Sequence, residues 1–306
     1  PHCLASEVVN PLGNPTLRLF IGAALISLSP VWVKLVSVSA TSSAFWRLAI
    51  GGSVIALYLL ITRQKMQLSR RVWQILILAA LFLALDLWFY HRSIQYIGPG
   101  LSTLIANFQV FVMAAAGFII LREPPSARQL LAIPLAVFGL ALIVGVDWNS
   151  LPADYRTGII FGLGAAVTYA GYLLVLRQSR QASSNRIPSR EIAVISLTGA
   201  AMLGAAALFE GGTLAITRGD EAVWLVCYGV LSHGLGMLFI ASSLPHVTTT
   251  QAGIALLLQP TLSFVWDVLF FARPMSMTEL LGAGIALLAI YLGSRGSSKQ
   301  SQGTRQ

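Results

Sequence analysis

The chain reads as ten apolar runs separated by short polar stretches, near residues 17–37, 43–62, 73–92, 100–120, 128–146, 157–177, 191–209, 222–243, 250–271 and 278–293. A helix rising about 1.5 Å per residue needs about 20 mostly apolar residues to cross a bilayer. Each run is close to that length, and the pattern predicts ten transmembrane helices. Ten spans use about 200 residues and leave roughly ten per loop or tail, too few for a soluble domain. Residues 1–16 and 294–306 are polar tails, and 147–156 is a connecting loop. The first run resembles a signal peptide with small residues from Ser37 to Ala44, but its length and the nine spans after it favour an uncleaved membrane segment.

Composition changes the picture only by excluding alternatives. Of 306 residues, 56% are hydrophobic and 10% charged, and mean hydropathy is +0.76. Average soluble domains are about 25% charged, so a water-covered surface and intrinsic disorder are both excluded. A net charge of +9 raises nucleic-acid binding, but the basic residues punctuate the apolar runs. Arg63, Lys65, Arg70 and Arg71 follow span two, Arg122 and Arg128 follow span four, and Arg177, Arg180, Arg186 and Arg190 follow span six. Arg295, Lys299 and Arg305 lie in the C-terminal tail. By the positive-inside rule both termini are cytoplasmic, and the chain is expected in the inner (plasma) membrane. Cys3 and Cys227 are expected to form no bridge.

The chain repeats itself. At an offset of 150, residues 88–142 lie over 238–292, with Phe89/Phe239, Ser93/Ser243, Gln109/Gln259 and Pro124/Pro274 among the identical pairs. In both halves a span with a central Gln precedes a Pro/Ser loop and another span. A unit of five spans reverses orientation, so the expected fold is all-α, with two inverted five-helix repeats at 17–146 and 157–293. Secondary transporters use such repeats, with the site near the midplane.

The first copy carries Ser93-Ile94-Gln95-Tyr96, Gly100 to Gln109, Leu121-Arg122-Glu123-Pro124, Gln129 and Phe138-Gly139-Leu140. The second carries Ala241-Ser242-Ser243-Leu244-Pro245, Gln259-Pro260, Pro274 and Leu281-Gly282-Ala283. In order and spacing, over about 17–293, these resemble the drug/metabolite transporter superfamily, specifically its ten-helix EamA-type branch. Val110 stands where that family often has Pro, and Arg273 replaces the Glu that Glu123 supplies in the first half. The resemblance implies carriage of a small metabolite, often outward, by alternating access.

Polar groups at membrane depth suggest a pathway or relay. Gln109 and Gln259 fall about 14 Å into their spans, His233 about 18 Å, Asp86 about 20 Å from the cytoplasmic end, and Asp267 about 25 Å along span nine, near the outer surface. Helical spacing aligns Asp86 with Phe82, Phe89, Tyr90 and Ser93, and Gln259 with Ser263 and with Trp266 or Asp267. Tyr169 and Tyr172 share a face. The candidate substrate-binding set is therefore Asp86, Phe89, Tyr90, Gln109, Tyr169, Tyr172, His233, Gln259, Ser263 and Trp266. Asp86, His233 and Asp267 are the candidate coupling groups, and Pro30 and Pro260 the candidate hinges. Lys34 and Arg47 read either as interface-snorkelling residues or as partners of Asp86 or Asp267.

An acid among aromatics suits an amphipathic amine or an amino acid through carboxylate and cation–π contacts. The alternatives are a nucleotide- or lipid-linked substrate, or a membrane scaffold or receptor that transports nothing. Enzyme motifs, metal-ligand spacings and nucleotide-binding loops are absent from the sequence, so no enzyme activity, cofactor or metal is expected. The expected partners are a small molecule, protons and the lipid bilayer, with no nucleic acid, for a monomer or homodimer.

Overall fold

A computed structural model describes residues 14–63, 68–121, 126–144, 151–182, 188–216, 218–243, 246, 249–272 and 274–298. All regular structure among them is helical: α1 Pro15–Ser27, α2 Ser29–Leu35, α3 Ala40–Ile61, α4 Arg70–Ile97, α5 Pro99–Ala106, α6 Gln109–Leu121, α7 Ala127–Val144, α8 Ala153–Ala182, α9 Pro188–Phe209, α10 Gly219–Cys227, a π-helical turn Tyr228–Leu235, α11 Gly236–Ser243, α12 Thr249–Phe271 and α13 Met277–Ser298. Three of the ten predicted spans are interrupted: α1–α2 form the first, α5–α6 the fourth, and α10, the π turn and α11 the eighth. Seven described segments are long and apolar enough to cross a membrane, and Leu130–Ile143, Leu258–Phe271 and Met277–Leu292 are shorter apolar helices. The chain is a multi-pass membrane protein. Glu123, Leu244, Pro245, Arg273, residues 1–13 and 299–306 of the tails and residues 147–150 lie outside the described residues.

Local chemistry sets the helix starts. Asn14 accepts from the backbone N–H groups of Thr16 and Leu17 ahead of Pro15. Ser39 caps α3 through Ser42 N, and Ser69 caps α4 through Val72 N. These side chains satisfy donors that a helix leaves unpaired at its first turn. Gly98, at φ +83°, turns the chain between α4 and α5 in a conformation L side chains rarely adopt.

Helix packing displays the repeat. Span three packs along span six as span eight packs along span one. Span two meets span eight as span seven meets span three, and span one meets span nine as span six meets span four. Spans two and seven, four and nine, and five and ten each pair with their own counterpart. Exchanging spans 1–5 for 6–10 maps each of these pairings onto another or onto itself, which is the signature of two repeats.

Without water to drive helices together in lipid, close approach relies on small residues. At the α7–α13 seam a Cβ on Gly139 would meet Gly282 O at 2.8 Å and Ala286 N at 2.7 Å, so the backbones nearly touch. Large apolar side chains such as Leu60, Ile61, Ile119 and Leu269 are exposed, where a bilayer covers them.

Candidate functional site

Arg47 and Asp86 bring opposite charges into the bundle interior within electrostatic range of each other. Arg47 projects from α3, with its Nε buried and unpartnered among the described residues. Its Nη1 donates to Tyr228 Oη at 3.0 Å, and its guanidinium lies 5.2 Å from the Tyr228 ring centroid. Tyr228, wholly buried at the start of the π turn, also bonds His91 Nε2 at 2.9 Å. Tyr90 donates to Thr103 Oγ1, whose own proton goes to Pro99 O. Asp86, one turn before Tyr90 on α4, is 7% exposed. It interacts electrostatically with Arg47 and Tyr169. Among the described residues its carboxylate accepts no hydrogen bond and forms no direct ion pair. Asp86 lies about 16 Å, and Arg47 about 10 Å, from the ends of their helices on this side, roughly mid-membrane.

Arg47 is turned into the bundle within electrostatic range of Asp86 but, among the described residues, forms no direct ion pair with it, whereas Lys34 is exposed. Of the sequence candidates, Asp86, Tyr90 and Tyr169 gather around Arg47. Tyr172 stacks toward Tyr169, with ring centroids 5.4 Å apart, and lies in the apolar core. His233 is one helical turn deeper on α3's face, against Gly51, where a Cβ would meet its ring at 2.6 Å. Its Nε2 bonds Ser196 Oγ at 2.8 Å, and its buried Nδ1 has no partner among the described residues.

The remaining candidates are engaged elsewhere. Phe89 packs toward α8, where a Cβ on Gly164 would meet its ring at 2.9 Å, and Ser93 donates to Gly158 O on the same helix. Ser263 donates to Ser27 O, and Trp266 Nε1 donates to Ser27 Oγ. Both clamp the interruption at Leu28, where Pro30 withholds an N–H and the chain bends between α1 and α2. Ser232 adds a bond to Leu25 O. Pro260 lies inside the continuous α12, while the interruption in span four falls at Asn107 and Phe108, just before Gln109. Gln109 and Gln259 are half-buried and outside the hydrogen-bonded cluster around Arg47. Asp267 is 2% exposed rather than at an open rim. Its Oδ2 accepts from Gly100 N at 2.9 Å at the start of α5, where the helix dipole favours a carboxylate.

A second polar group ties the face where α3 starts and α4 and α9 end. Glu210 accepts from Thr41 Oγ1 at 2.7 Å, Trp88 Nε1 at 2.7 Å and Arg92 Nη2 at 2.9 Å. Partial burial opposes its ionisation, but the Thr41 and Trp88 hydrogen bonds and the Arg92 charge outweigh it and hold the carboxyl below its usual range. Sequence pattern alone does not single out His91, Tyr228 or Glu210. The one signal for the first two was an ionisable side chain within an apolar run.

The EamA-like transporter family model matches residues 16–145 and 156–295. The chain is 24% identical over 265 residues to the uncharacterized transporter YwfM of Bacillus subtilis, covering 86% of this chain and 87% of that one. It is 26% identical over 209 residues to the uncharacterized inner membrane transporter YhbE of Escherichia coli K12, covering 65% and 63%. A solved crystal structure superposes with a TM-score of 0.64 at 18% identity, over 95% of this chain and 99% of that chain, and so shares the fold. With two matched segments and a packing pattern that repeats between halves, the chain belongs to the EamA-like transporter family and is a membrane transporter.

Proposed function

We propose that this transporter carries a small amphipathic amine or amino acid across the inner membrane by alternating access between its halves, outward, with both termini cytoplasmic. The observation that carries the reading is Asp86. It is a buried carboxylate that accepts no hydrogen bond among the described residues and lies within electrostatic range of Tyr90, Tyr169 and the Arg47 cation. A buried charge left so incompletely paired is costly, and a ligand that supplies the missing partner recovers that cost. An ammonium group satisfies Asp86, and a carboxylate on the same molecule satisfies Arg47 at its free Nε edge. The tyrosine rings suit an apolar substituent.

His233, with a free ring nitrogen beside the path, is the coupling candidate we retain. Asp267 already serves α5. The substrate leaves the midplane by rocking about the interrupted spans, of which the Pro30 break in span one is the clearest hinge.

The test is counterflow in proteoliposomes with radiolabelled phenylalanine and phenethylamine. Saturable uptake of at least one is expected, and Asp86→Asn should lower it by roughly tenfold or more, since it removes the charge that pairs the ammonium. Equal rates for Asp86→Asn and the parent protein overturn the reading.

A further inference from the structure

The hydrogen bonds behind Arg47 run in one direction. His91 Nδ1 lies 2.7 Å from Leu87 O. A carbonyl only accepts, so Nδ1 carries the proton of the neutral ring and Nε2 is the acceptor. Tyr228 must then donate to Nε2, which leaves its phenolic oxygen to receive Arg47 Nη1. The Tyr228 ring beneath the guanidinium adds a cation–π contact. Arg47 is thus fixed on a side chain of span eight, while Asp86, the acid in its field, stays without a direct ion pair.

Opposite charges in a low-dielectric interior attract strongly, and a guanidinium released from its anchor closes on a nearby carboxylate. We propose that Tyr228 and His91 park Arg47 away from Asp86 and so keep the carboxylate open for the substrate's ammonium group. The inference rests on the reading of Asp86 given above. Tyr228 and His91 are positioning residues: Tyr228 holds the cation, and His91 fixes the direction of the Tyr228 hydroxyl. Losing the anchor turns Arg47 into an internal competitor for Asp86.

The competition gives a signature that loss of packing would not. Binding of radiolabelled phenethylamine, which has no carboxylate for Arg47 to meet, is measured on the purified full chain in nanodiscs. The proteins compared are the parent, Asp86→Asn, Tyr228→Phe, Arg47→Gln and Arg47→Gln/Tyr228→Phe. Tyr228→Phe should weaken binding roughly tenfold. Removing Arg47 in that background should restore affinity to within about threefold of Arg47→Gln alone. His91→Gln, which keeps an acceptor for the tyrosine, should bind more tightly than His91→Leu. A Tyr228→Phe protein that binds like the parent, or a double variant as weak as Tyr228→Phe, overturns the parking role while Asp86→Asn still reports on the underlying reading. No binding by the parent, or full binding by Asp86→Asn, overturns both.

Discussion

Glu210→Ala removes the acceptor on which three spans converge, and its cost can be worked from the contacts. Two neutral donors, Thr41 and Trp88, lose their bonds, each worth about 0.5–1.5 kcal/mol net. The Arg92 pair is partly exposed, at 21% and 35% of the two side chains, so it adds only about 0.2–1 kcal/mol. Water can reach the freed donors, which places the total near the low end, about 1–2 kcal/mol. Arg92 keeps its bond to Trp88 O and its place 3.8 Å over the Trp88 ring, so the end of α4 should loosen from α9 without unfolding. Local opening that much easier accelerates amide exchange about 5- to 30-fold. Hydrogen–deuterium exchange of the protein in nanodiscs, read on peptides covering 88–97 and 204–212, checks this. Acceleration confined to those peptides is expected. Exchange within twofold of the parent would show that the three bonds do not hold this face together.

The remaining predictions test other parts of the frame. The depressed Glu210 carboxyl contributes stability that is present above its ordinary value of 4.5 and is lost as pH falls through its lower folded-state value. As pH falls through that value, exchange in the same peptides of the parent, expressed relative to the intrinsic exchange rate at each pH, should therefore rise, and that of Glu210→Ala should not. Gly139→Val places atoms against the Gly282 carbonyl and the Ala286 backbone; the helices must separate at a cost of about 1–3 kcal/mol, and a thermal melt in detergent should show a lower midpoint. Gly98→Ala forces a φ of +83° on an L residue facing Asp267 Oδ2 at 3.1 Å, costing about 1–2 kcal/mol, readable in the same melt. Asp267→Ala removes the acceptor for Gly100 N and should cost about 1–2 kcal/mol while leaving phenethylamine affinity within about twofold.

The spans were legible because lipid imposes one rule, a long apolar run, and the described helices start and stop within a few residues of the runs except where α4, α8 and α13 extend past them. The repeat was legible from matched pairs such as Gln109/Gln259 and Pro124/Pro274; Gly139 and Gly282, which meet at the α7–α13 seam, do not coincide at that offset. The charged site was only half legible. Asp86 stands out by being an acid at depth, but Arg47 near a span's start has two readings on a helical wheel, and only the position of Tyr228 on another span decides between them. Tyr228 itself begins a π turn, a widening that shifts every later side chain of that span off the α-helical register used to align faces. Ser263 and Trp266, which helical spacing puts on one face with Gln259, both bond Ser27 at the break in span one, a partner that spacing alone does not reveal.

Packing and chemistry then part company between the halves. Spans two and three contribute Arg47 and Asp86, whereas their counterparts, spans seven and eight, contribute the neutral pair Ser196 and His233. Packing that maps onto itself lets either half swing against the other. A site whose charges all belong to one half binds its ligand to that half and leaves the other to move. Tyr228 is the point where this division is crossed, since it brings span eight to Arg47. Rocking of span eight against spans two and three would stretch the Tyr228–Arg47 bond, and under the parking role proposed above that would couple the conformation of the bundle to the charge offered to the substrate.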